Sequence, residues 1–144
     1  MNEDSIQLLK EIDSGCLMAI NSFHQLEEYE MPKELYNILL KYEEKHDVLQ
    51  KEASRLLHQN QESDKQPGMM ASAMSWLTTE MKMMMRSDSI QISKLIMNGC
   101  NMGIQTISEN IGKYGAASEE TVKLAKKLVK IEEELIAELA EFVS

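Results

Sequence analysis

A chain of 144 residues fits one domain with room for a sizeable core. Its formal charge of −9, with 15 Lys and Arg spread along its length, argues against nucleic-acid partners and against binding to an anionic membrane surface. An apolar share of 43%, a charged share of 27% and only two prolines favour helix, and no period-2 run of β-branched residues asks for a sheet.

The start, Met-Asn-Glu-Asp, lacks the basic and apolar regions of a signal peptide. No apolar run approaches the roughly 18 residues of a membrane span. Two cysteines without an export signal read as reduced thiols, so a cytoplasmic location is expected.

The first helix is predicted from about Ser5 to Glu28, capped by Asp4 or Ser5, with an apolar stripe through Ile6, Leu9, Ile12, Cys16, Ala19, Ile20, Phe23 and Leu26. Glu30-Met31-Pro32 makes the turn, since Pro is tolerated in a first helical turn. The second helix then runs to about Gln59 through Leu35, Leu39, Tyr42, Glu43, His46, Leu49, Ala53 and Leu56. The polar stretch from Gln61 to Gly68 is a linker. Met69 to Met85 is predicted helical and carries seven of the 12 methionines and the only tryptophan, Trp76. A third helix is expected from about Ser89 to Ile111, after Ser87-Asp88-Ser89 as cap. A fourth runs from about Glu119 to Phe142, capped by Ser118, with Glu119 and Glu120 suiting the helix dipole.

The frame Gly15-Cys16-Leu17-Met18-Ala19-Ile20 returns 84 positions later as Gly99-Cys100-Asn101-Met102-Gly103-Ile104. Lys41-Tyr42-Glu43-Glu44 is echoed 89 positions on by Lys130-Ile131-Glu132-Glu133. Two related helical hairpins are the simplest source of both echoes. As a helix, the Met-rich segment spans roughly 25 Å, most of the length of a bundle. It can therefore return the chain to the end where helix 2 began and make helices 2 and 3 parallel. The predicted fold is all-α: a ferritin-like four-helix bundle, one domain over 1–144, with a fifth, helical crossover between helices 2 and 3.

Such bundles carry one Glu on each of two helices and Glu-x-x-His on each of the other two. Helix 2 holds that motif as Glu43-Glu44-Lys45-His46; its echo in helix 4, Glu132-Glu133-Glu134-Leu135, has leucine for histidine. In these residues the chain resembles the ferritin-like superfamily, and more closely its small bacterial members with an internal duplication. Gly15-Cys16-x-x-Ala19 is similar to the Gly-Glu-x-x-Ala that supplies the first metal carboxylate in rubrerythrin-type proteins. The resemblance implies a ligand set of Cys16, Glu43, His46, Cys100, Glu132 and Leu135, in which only Glu43, His46 and Glu132 keep the family's ligand type. Two carboxylates and one histidine short, the set points to a degenerate metal site whose cysteines pack as small hydrophobes. The expected function is then a non-enzymatic structural or interaction protein with no cofactor. The alternative is a metal-binding protein that uses Cys16, Glu43, His46, Cys100 and Glu132 to hold Zn, Fe or Mn.

The Met-rich segment is apolar on more than one side, because Trp76, Met83 and Met69 fall off the main stripe. Burying a second face needs a partner, and a symmetric dimer through Met74, Trp76, Leu77 and Met81 is the simplest supply. An adaptor helix gripping another protein would use the same residues. His24 and His58 are read as surface or rim positions without a spaced partner. No phosphate-cradling Gly loop, Ser-His-Asp pattern or Cys-x-x-Cys is present.

Overall fold

The structure is a computed structural model that describes residues 1–62 and 88–143. Among these residues there are four helices, α1 (Glu3–Leu26), α2 (Lys33–Gln59), α3 (Ser89–Lys113) and α4 (Glu119–Leu139), the last followed by a 3-10 turn, Ala140–Phe142. Among the described residues there is no strand. Met74, Trp76, Leu77 and Met81, the expected interface, lie outside the described residues, as does the expected crossover helix.

The helix starts follow side-chain chemistry. Asp88 accepts from the Gln91 amide and Ser118 from the Thr121 amide, each satisfying a free first-turn donor. Before α2 the cap position is Pro32, whose fixed φ suits helix entry although it offers no side-chain cap. For α1 the cap is Asn2, which accepts from the Ser5 amide. The sequence pointed instead to Asp4 or Ser5, but both are used elsewhere. Asp4 accepts from the Ala116 amide at 3.0 Å, and the Ser5 hydroxyl accepts from the Ser118 amide at 2.8 Å.

Those two bonds also fix direction, because they hold the start of α1 beside the start of α4. Asn2 adds a third, donating to the Ala116 carbonyl at 2.8 Å. Lys10 pairs with Glu62 at 3.4 Å and Asn110 donates to Glu11 at 3.2 Å, so the ends of α2 and α3 lie at this same end of the bundle. Helices α1 and α4 therefore run one way, α2 and α3 the other. The chain leaves α2 at one end and enters α3 at the opposite one.

The apolar faces meet in two layers. One joins Phe23, Leu26, Leu35, Leu39, Tyr42, Ile92, Leu95, Leu135 and Leu139. The other joins Leu8, Leu9, Ile12, Leu49, Ala53, Leu57, Ile107, Ala125 and Leu128. No described helix is long and apolar enough to cross a membrane.

Leu39 is fully buried in the first layer, whereas Val48 is 60% exposed on the same helix. Leu39→Ala is expected to lower unfolding free energy by about 2–5 kcal/mol through lost burial and a residual cavity. Val48→Ala should change it by no more than about 0.5 kcal/mol. Urea titration of both variants checks the difference, and equal losses would contradict this core assignment.

Candidate functional site

At the junction of the two layers, α2 turns His46 fully into the core, one turn beyond Tyr42 and one before Leu49. From α4, Glu132 comes to meet it, with its side chain 10% exposed. His46 Nε2 and Glu132 Oε1 share a short hydrogen bond across the bundle. His46 Nδ1 lies 2.6 Å from the Tyr42 carbonyl, which can only accept. Nδ1 therefore carries a proton, and the contact to the carboxylate needs a second proton at Nε2 or on the acid. Burial alone would drive the imidazole below its ordinary value of 6.5. The bond to Glu132, its charge and the Tyr42 bond outweigh that and raise the pKa. The pair is thus best described as imidazolium with carboxylate. The Phe23 ring packs 5.5 Å from the imidazole, centroid to centroid.

Both thiols are buried and free, on α1 and α3. Burial pushes Cys16 well above the usual thiol range, and the charges of Glu132 and Asp13 push it further. Cys100 is raised by burial, by the charge of Glu132 and by its own bond to that carboxylate. Thiols held protonated in this way are poor nucleophiles and poor metal ligands.

Beside this centre a cleft of about 70 Å³ opens between α1 and α3. Small residues make it: Gly15 and Ala19 on one wall, Gly99 and Gly103 on the other, with Glu132 and Leu128 as floor. At Gly103 a Cβ would sit 3.7 Å from Glu132 Oε2, so glycine leaves open the space over the carboxylate. On the opposite side, side chains bridge the seam between α2 and α4. There Tyr42 donates to Glu138, Lys41 reaches Glu138 at 3.2 Å and Lys45 reaches Glu134 at 3.3 Å.

The ligand set expected from the sequence divides. His46, Glu132, Cys16 and Cys100 are all in the core, and Leu135 packs there as an ordinary apolar residue. Glu43 faces α1, where His24 Nε2 lies 3.3 Å from its Oε2 and the Glu27 carboxylate lies alongside. At His24, Glu27 and Glu43, one ligand atom from each residue comes within 4.8 Å of the other two. No other described residues of these types meet so closely in threes. Sequence reasoning left His24 at the rim without a partner. The missed signal was His24-x-x-Glu27, an i,i+3 pair on one face of α1.

Two outcomes test the centre. In the native protein, both cysteines should resist Ellman's reagent and react only as fast as the chain unfolds; rapid labelling of either would contradict its burial. The second is pH. A histidine with a raised folded-state pKa contributes fully to stability below the unfolded value of 6.5 and loses that contribution as pH rises through the folded value. The stability gap between wild type and His46→Gln should therefore shrink as pH is raised from below 6.5. A gap that holds steady or widens would assign the pair the opposite charge state.

Compared with protein-family models, with curated proteins and with solved structures, the chain finds no match.

Proposed function

We propose that this is a non-enzymatic structural or interaction protein built on a ferritin-like scaffold. The observation that carries the proposal is the closed contact between His46 and Glu132, which uses both imidazole nitrogens and one carboxylate oxygen inside the core. A two-metal carboxylate centre does not fit these residues. Glu43 faces away to His24 and Glu27, the thiols are held protonated, and Leu135 offers no donor. What remains serves the fold: it joins α2 to α4 and fills the middle of the bundle. The interaction half rests on sequence alone, on the two-sided apolar character of the segment holding Met74, Trp76, Leu77 and Met81.

A second reading has one observation in its favour. An imidazole whose Nδ1–H is fixed by a backbone carbonyl is oriented as metal-binding histidines are. A single Zn, Fe or Mn ion between His46, Glu132 and Cys100 would use that orientation, at the cost of displacing the proton and of drawing the three ligand atoms closer than they lie here.

Elemental analysis of the purified protein separates the two, beside the double variant Cys16→Ser with His46→Ala. The structural reading expects no metal at the centre, so that the double variant holds the same metal content as wild type. Stoichiometric metal lost in the double variant would overturn it. For the interaction half, replacing Met74, Leu77 and Met81 by Glu should abolish self-association in analytical ultracentrifugation or the capture of partner proteins; unchanged behaviour in both counts against it.

A further inference from the structure

We propose that His24, Glu27 and Glu43 form a binding site for one divalent transition-metal ion that clamps the last turn of α1 to α2. The site is distinct from the bundle centre and goes beyond the function proposed above.

Three observations converge on it. The donor set is one imidazole and two carboxylates from two helices, and each offers a ligand atom within 4.8 Å of the other two. Two ligands bound about 2.0–2.1 Å from a tetrahedral zinc lie roughly 3.3–3.5 Å apart. His24 Nε2 and Glu43 Oε2 are already 3.3 Å apart, so closure asks for little movement. Then there are two oxygens with nothing to bind. Glu27 Oε1 and Glu43 Oε1 are buried, and neither has a hydrogen-bond partner. A buried acceptor without a donor is costly, and two carboxylates in contact add like-charge repulsion. A divalent cation would give each orphan oxygen a partner and cancel both charges.

The chemistry also limits the ion. A mixed nitrogen and oxygen set suits Zn, Mn or Fe(II); Ca and Mg prefer oxygen alone, and Cu(I) prefers sulfur. The His24 side chain is 60% exposed, which leaves an open side for water as remaining ligand and a path for the ion to enter.

The test uses the full chain, stripped with a chelator and titrated with Zn2+ by calorimetry and against a chromophoric indicator. Wild type is expected to bind one equivalent with micromolar or tighter affinity, and zinc should raise its melting temperature. His24→Ala and Glu27→Gln should each weaken this binding at least tenfold and remove the thermal shift, while Cys16→Ser should leave both intact. With Co2+ in place of Zn2+, the spectrum should show nitrogen and oxygen ligation without a thiolate charge-transfer band. Because His24 is exposed, its alanine variant should keep the wild-type circular dichroism; if Glu27→Gln fails to fold, His24→Ala decides. No saturable binding at millimolar zinc overturns the proposal, and so does binding that survives His24→Ala. In either case the His24–Glu43 contact is an ordinary ion pair. Loss of zinc in the variant with Cys16→Ser and His46→Ala, but not in His24→Ala, would move the metal to the bundle centre and count against the structural reading instead.

Discussion

The buried contact between His46 and Glu132 is the constraint around which the bundle is arranged. Taking an imidazolium and a carboxylate out of water costs several kcal/mol per ion, recovered only when geometry is good and the remaining polar atoms are satisfied. Both imidazole nitrogens are satisfied here, Nδ1 by the Tyr42 carbonyl and Nε2 by Glu132 Oε1. A slip of α4 by a residue or two along α2 would leave both charges buried and unpaired, a loss larger than any single apolar contact. The pair thus specifies the register of α2 against α4. The outer contacts, Tyr42 with Glu138 and Lys45 with Glu134, follow the same antiparallel register and cover it from solvent.

Much of this was legible because helix periodicity and capping are local. Starts at Ser89 and Glu119 follow from Asp88 and Ser118, whose side chains do in the structure what such residues do at any helix start. The buried positions of Cys16, Leu39, Leu49, Cys100, Leu128 and Leu135 follow from steps of three and four. What the sequence could not carry is the contact between helices. Asn2 displaced Asp4 and Ser5 as cap only because residues 116 and 118, more than a hundred positions away, claim those side chains. Asp13, an acid, is fully buried, and Gln50 on α2 donates to it at 2.8 Å. No stripe analysis of α1 alone reveals that partner.

The two interhelical seams make the same point about pattern and geometry. The Gly-Cys frame occurs in α1 and again in α3, and its small residues line one cleft between those helices. Small residues usually bring helix backbones together, yet Glu132 and Leu128 form the floor here and space remains above them. The seam between α2 and α4, with long side chains, is instead closed by Tyr42, Lys41 and Lys45. Openness is thus decided by what reaches across a seam.

The motif Glu43-x-x-His46 shows why a spacing alone does not make a site. Three residues on a helix advance about 300°, so the two side chains diverge by roughly 60° as well as by most of a turn. If the helix axis were rotated to aim the space between them at the core, both would serve one metal. In this bundle α2 brings His46 against Glu132, where the buried imidazole is paired with an acid. That choice swings Glu43 out of the centre toward α1, where Glu27 and His24 wait on consecutive turns. The same four residues of sequence therefore contribute to two separate polar clusters, one sealed in the core and one open at the rim. Rotation of a single helix is enough to send two residues three positions apart into different clusters.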